Sequence, residues 1–132
     1  MAELGSIVLD GAVIAELLRG PRGPVAQAVF DGATRVQDAA KVDVGKDTRD
    51  LERSIVKRLI SGDGGDPGCL VGSDQPYALL HHEGTRPHDI TPVRAKALRF
   101  RTTGGVRFAK RVRHPGTAPN PYLTKNLPLA VP

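Results

Sequence analysis

Tryptophan is absent from this 132-residue chain, cysteine and methionine occur once each, and two Tyr with three Phe bring the aromatic share to only 4%. A core built under those limits has to come from Val, Leu, Ile and Ala within the 39% of residues that are hydrophobic, so it is expected to be thin. The lone Cys69 excludes an internal disulfide and a multi-cysteine zinc site, fits a reducing cytoplasm, and reads as a small half-buried hydrophobe. Long apolar runs are missing as well. Asp10 and Glu16 interrupt the stretch at residues 7–18, and Glu3 stands where a secretion leader would be basic, which predicts a protein made and kept in solution with no membrane span. The last absence is regional: residues 86–132 hold ten Lys or Arg and one acid, Asp89, whereas the first 85 residues hold nine basic and thirteen acidic side chains. The formal charge of +5 is thus concentrated at one end, and such a field steers a small protein toward a polyanion or an acidic protein surface.

The length predicts a single domain, residues 1–132, because a chain of this size buries roughly two thirds of its unfolded surface in one core whereas two separate cores would each be marginal. Within it, residues 1–20 read as an N-terminal segment and 21–132 as the core. Fifteen Gly and eleven Pro are about a fifth of the chain, against an average nearer roughly an eighth, so much of the backbone is expected in turns. Asp10 is a good helix N-cap ahead of Val13, Ile14, Leu17 and Leu18, and the Arg19-Gly20-Pro21 run should end that first helix. Val25, Val29, Ala33, Val36 and Ala40 then recur at helical steps, which predicts a longer second helix whose small residues let it lie close to a sheet.

Asp47 or Thr48 is placed to cap a turn through Leu51 and Glu52, and a strand is expected from about Ser54. The glycine-rich run at residues 62–68 reads as a hairpin tip leading to a partner strand at Leu70, Val71 and Gly72. Tyr77 to Glu83 should form a turn or two of helix ending at Gly84. Leu98, Phe100 and Thr102 alternate with Arg99 and Arg101, Thr103-Gly104-Gly105 turns the chain, and Val106, Phe108, Lys110 and Val112 supply a second strand. That pattern predicts a β-hairpin with one greasy face and one cationic face. Tyr122, Leu123, Leu127 and Leu129 make a short closing helix interrupted by Pro128. The expected class is therefore α+β: a long N-terminal helix packed on a small antiparallel sheet, with a basic hairpin and a short C-terminal helix.

Chemistry is sparse. His81 and His82, adjacent on a helix, point about 100° apart and cannot readily chelate one ion together, and neither a Cys pair nor a spaced HExxH accompanies them or His88 and His114. Ser54, Ser61 and Ser73 lack a nucleophile-elbow setting, and Glu83 beside His82 reads as surface pairing. The glycine-rich tip has neither the closing Glu of a calcium loop nor the Gly-Lys-Ser/Thr ending of a phosphate loop. No catalytic residue, cofactor or metal is expected. Lys and Arg along a ribbon can neutralise phosphates, yet with Phe100 and Phe108 at inward positions of the alternation, stacking platforms for bases are expected to be missing.

The order of Leu51-x-x-Ser54-Ile55, Tyr77-Ala78, Glu83-Gly84-Thr85, Pro92, Ala97-Leu98-Arg99-Phe100, His114-Pro115-Gly116-Thr117 and Pro121-Tyr122-Leu123 before a terminal apolar helix resembles the small neck or tail-completion proteins of long-tailed double-stranded-DNA bacteriophages. The likeness spans about residues 25–130, and the chain departs from the usual pattern at His81-His82 and in its long basic hairpin. The resemblance implies a non-enzymatic virion protein, assembled in the host cytoplasm, that forms a ring, sixfold by family analogy, at the junction of head connector and tail. Implied partners are further copies of the chain and the connector and tail proteins, with genomic DNA in the channel as a further contact. Arg86, Arg94 and Lys96 in a proline-stiffened loop, and Arg99, Arg101, Arg107, Lys110, Arg111 and Arg113 on the hairpin, are the expected contact residues. Gly84 with Thr85, and Pro115 with Gly116, are expected to make structural turns, Gly84 left-handed and Thr85 bonding locally. The competing reading is a small basic DNA-binding or genome-packaging accessory protein.

Overall fold

The computed structural model describes residues 7–132; Glu3, on which the leader reading turns, lies outside the described residues. It is mixed helix and sheet, and its contacts divide it into two compact units, one of Met1–Gln75 with Tyr122–Pro132 and the other of Pro76–Pro121. None of its helices is long and apolar enough to cross a membrane among the described residues.

In the first unit, helix α1 (Gly11–Arg19) begins at Asp10, whose carboxylate accepts from the backbone N–H of Ala12 at 2.9 Å and of Val13 at 3.4 Å, satisfying two of the donors a helix start leaves open. Gly20 ends it by donating to the Glu16 carbonyl at 2.8 Å. Pro24 then opens α2 (Pro24–Asp43), where its missing N–H costs nothing. The buried stripe of α2 is Ala26, Gly32, Ala33, Val36 and Ala40, which agrees with the small-residue periodicity in the sequence; Val25 is exposed. Short helix α3 (Asp50–Ser54) follows, its first N–H accepted by Thr48 Oγ1 at 3.4 Å, and it takes up Ser54, so strand β1 starts two residues later than expected.

Strands β1 (Val56–Ser61) and β2 (Pro67–Gly72) pair antiparallel from Val56 opposite Gly72 to Ser61 opposite Pro67, with the glycine-rich tip between them. Two flanks of α2 receive the rest of the unit. On one flank the Lys57 ammonium sits 4.5 Å from the Phe30 ring centroid and donates to Thr34 Oγ1 at 2.8 Å, while Gln37 Nε2 donates to the Ile55 carbonyl at 2.8 Å. On the other lies the 3₁₀ segment Thr124–Ala130, which contains Pro128. Arg35 donates to the Leu129 carbonyl at 2.8 Å and the Ala130 carbonyl at 3.1 Å, and Asn126 Nδ2 donates to Asp43 Oδ2 at 2.8 Å. That hydrogen bond first, then Lys125 at 3.2 Å, holds the Asp43 carboxyl below its ordinary range against the opposing effect of desolvation, so the tie is intact at neutral pH and released only as acid protonates the group. Tyr122, Ile55 and Val36 are the largest side chains fully buried. Between the flanks, Val29, Ala33, Val36, Leu70 and Leu127 border an apolar cavity of about 390 Å³.

Gly32 is where α2 and the C-terminal segment come closest, because a Cβ there would run into the Ala130 carbonyl oxygen. Gly32→Ala is therefore expected to lower stability by about 1–3 kcal/mol despite the better helix propensity of Ala. Gly11→Ala, with open space around it, should be neutral or slightly stabilising. Urea midpoints of the two variants check the contrast; equal shifts would contradict the close approach. Burial raises the Tyr122 phenol above its usual value of 10.0, so the raised folded pKa adds stability that is complete below pH ~10 and is lost as pH rises through the folded value. In a spectrophotometric titration one of the two tyrosines is expected to ionise late, and Tyr122→Phe should remove that late step.

Candidate functional site

Every residue expected to contact a partner lies in the second unit, which carries nine Lys or Arg against the two acids Glu83 and Asp89. Helix α4 (Ala78–Glu83) ends at Gly84, as expected, with φ 76°. A Cβ on Gly84 would lie 2.6 Å from the Thr117 carbonyl oxygen and 2.8 Å from Pro119 N, so close approach of two chain segments, in addition to positive φ, requires glycine here. Gly116 repeats the device from the other side: its φ is 88° and its α-carbon faces the Thr85 carbonyl. Thr85 does not bond locally. It pairs with Thr117 across 32 positions: its N–H donates to the Thr117 carbonyl at 3.0 Å, while the Thr117 N–H donates to the Thr85 carbonyl at 3.1 Å and is also 3.0 Å from Thr85 Oγ1. The local-bond expectation failed because a β-bridge satisfies both the backbone and the hydroxyl.

Beyond that bridge, β3 (His88–Ile90) pairs antiparallel with a strand at Val112–His114, placing His88 opposite His114 and Asp89 opposite Arg113. The two imidazoles stack with centroids 5.1 Å apart. Gly116 N–H donates to His114 Nδ1 at 3.0 Å, and His88 Nδ1 lies 2.9 Å from the Arg86 carbonyl, to which it can only donate. With Tyr77, His81, Thr85 and Thr117 they border a hollow of about 280 Å³. Among the described residues no group of three or more His, Cys, Asp or Glu is arranged to hold a metal ion.

The hairpin consists of β4 (Leu98–Thr102) and β5 (Gly105–Ala109). The Val112–His114 strand, β6, belongs to the β3 pair, so the second arm is shorter than the alternation suggested: it stops at Ala109 and leaves Lys110 and Arg111 in the connection. Its register also overturns the segregation of faces. Thr102 pairs with Gly105, so the turn is the two residues Thr103 and Gly104 rather than three, and every odd-numbered residue of one arm meets an even-numbered residue of the other. Apart from Ala109, the apolar residues are even-numbered in both arms, so each face receives the large ones from one arm and arginines from its partner. Arg99 stands opposite Phe108, Arg101 opposite Val106, and Phe100 opposite Arg107.

Burial distinguishes the two faces. Leu98, Phe100 and Ala109 are half-buried on one, while Arg99, Arg101, Val106 and Phe108 are all exposed on the other, Phe108 to 69%. An exposed aromatic among arginines is thus present where the alternation placed Phe108 inward. The two-residue turn Thr103-Gly104 sets this parity, and Thr103-Gly104-Gly105 carries no local signal that separates it from a three-residue turn.

Arg86, Arg94, Lys96, Lys110 and Arg113 are exposed, as are Arg99, Arg101 and Arg107. Arg111 differs from the rest, because its guanidinium is bonded to Asp89, the one acid of residues 86–132. Arg94 and Lys96 sit in the strand-free connection at residues 91–97, where Val93 is also exposed.

Gly116→Ala places a side chain against the Thr85 carbonyl in a left-handed conformation, and is expected to cost about 1–3 kcal/mol or more. Amide exchange at Thr85 and Thr117 should accelerate in this variant while amides of α2 keep their protection. Unchanged exchange at the two threonines would contradict the bridge.

Comparison of the chain with protein-family models, with curated proteins and with solved structures finds no match.

Proposed function

We propose that this chain is a structural, non-enzymatic protein of the phage neck, assembling as a ring that joins the head connector to the tail. The observation that carries this reading is the apolar surface left uncovered in the first unit. Helix α1 buries none of its residues, and Val13, Leu17 and Leu18 are 55%, 48% and 53% exposed. On the face of the β1–β2 ribbon that carries Val56, Ile60 and Leu70, all three are exposed as well. Exposed apolar side chains gathered on one helix and one ribbon suit covering by another protein. Each of the three sheets has only two strands, so every strand among the described residues has one edge unpaired within its sheet. An isolated two-stranded ribbon is marginal in water, and β-augmentation by a neighbour stabilises it.

The loop at residues 91–97 supports the same reading. Pro92 stiffens it, and Val93, Arg94 and Lys96 project into solvent as a reach toward a neighbouring subunit. Charge favours head-to-tail contact between copies, because the first unit has ten basic and twelve acidic residues and the second nine and two. A heterologous contact of that kind closes into a ring when the rotation per copy permits. The resemblance of the residue order to neck proteins is what supports placing such a ring at the junction of head and tail.

Val13→Glu with Leu17→Glu tests the reading, since both positions are exposed and the folded monomer should keep its melting temperature within a few degrees. Sedimentation of the full chain should show loss of multimers, and a mixture of heads, tails and variant should fail to yield joined particles. Joining at the unaltered rate would overturn the assembly role of this surface. The accessory-protein reading, favoured by the acid-free residues 90–132, expects duplex-DNA retention with a steep salt slope of several units; the neck reading expects duplex binding that is gone by physiological salt.

A further inference from the structure

The outward face of the β4–β5 hairpin joins two chemistries that few surface patches combine. Phe108 is 69% exposed, in a chain with only five aromatic residues, and Arg99 lies directly across the ladder from it. Arg101 occupies the diagonal position, within about 7–8 Å of Phe108 by the geometry of antiparallel pairs, and Val106 fills the remaining corner opposite Arg101. No acid occurs anywhere in residues 90–132, so none in the hairpin neutralises these guanidiniums. Arg99 and Arg101 differ in this from Arg111, which is occupied by Asp89.

From this juxtaposition we infer that the Arg99–Phe108 face of the hairpin binds single-stranded nucleic acid, one base stacking on the Phe108 ring while Arg99 and Arg101 pair with the flanking phosphates. Charge complementarity selects a polyanion. The exposed ring selects one whose bases are free, because a duplex keeps its base faces inside the stack and presents phosphates and groove edges instead. An acidic protein surface satisfies the arginines but offers Phe108 no reason to stay in water between them. The ribbon's other face is half-buried at Leu98, Phe100 and Ala109, which leaves the Phe108 face as the accessible one. The inference does not rest on the neck reading, whose carrying observation is the uncovered apolar surface of the first unit.

The test is fluorescence anisotropy of the full chain with a labelled 15-nucleotide oligothymidine and with a 15-base-pair duplex, over a salt series starting at about 50 mM. Oligothymidine should bind at least about tenfold tighter than the duplex at equal salt. Phe108→Leu should weaken oligothymidine binding by about tenfold, the scale of losing one stacked base, while leaving the salt slope unchanged. Phe108→Tyr, which keeps the ring, should retain wild-type affinity and guards against a folding defect in the Leu variant. Arg99→Gln with Arg101→Gln should lower the log–log salt slope by about 1.4, two phosphates' worth for a single strand. The inference is overturned by no binding at 50 mM salt, by duplex binding as tight as single-strand binding, or by a Phe108→Leu variant that binds oligothymidine normally. It is equally overturned if Phe108→Leu abolishes self-association with oligothymidine binding intact, because the face is then an interface between copies.

Discussion

Thr102 faces Gly105 across the Thr103-Gly104 turn, and its hydroxyl donates to the Gly105 carbonyl at 3.0 Å. Every other pairing of the hairpin follows from that closure, because in an antiparallel ladder the turn length sets which residues share a face. One more residue in the turn would have placed Phe100 and Phe108 on a common apolar face and gathered the arginines on the other. Such a ribbon would be an ordinary amphipathic hairpin with a solvated basic side. The two-residue turn instead distributes one aromatic and at least one arginine to each face, and the accessible face becomes a surface that offers a ring and two cations together.

A different constraint organises the first unit. The stripe of Ala26, Gly32, Ala33, Val36 and Ala40 lets a ribbon and a 3₁₀ segment approach α2 closely with few large side chains involved. Such a core satisfies the requirement of a chain with no Trp, but it leaves α1 and the β1–β2 ribbon with exposed apolar residues it has no material to cover. The thinness of the core and the apolar side chains left exposed are therefore two consequences of the same composition. The near balance of charge in this unit and the excess of cations in the other divide the chain's surface chemistry in the same way its contacts divide its backbone.

Helices were legible wherever a local signal defined them. The Asp10 cap, the small-residue periodicity of α2 and the Gly84 terminus all depend on residues within one or two turns of each other, and all stand where the pattern put them. The pairings of β1 with β2 and of β4 with β5 were legible as hairpins, while β3 and the register of the second hairpin were not. The hairpin's arms were recognisable by alternation, but its parity rested on one residue of turn length, and Phe108 was assigned to the wrong face as a result. The pairing of β3 with β6, the stacking of His88 on His114, and the Thr85–Thr117 bridge join positions 22 to 32 residues apart, with no periodicity to announce them. Gly32 meets Ala130 across 98 positions, a contact that only the folded backbone reveals. Of the candidate contact residues, the sequence located the basic cluster in full but could not single out Arg111 as the one held by Asp89.

The register of the hairpin is the claim on which the character of its surface depends most directly, and cross-strand nuclear Overhauser contacts in the full chain measure it. The account expects side-chain contacts between Arg99 and Phe108 and between Arg101 and Val106. Contacts joining Phe100 to Phe108, with Arg101 facing Arg107, would mean a three-residue turn and a segregated hairpin, and would contradict it.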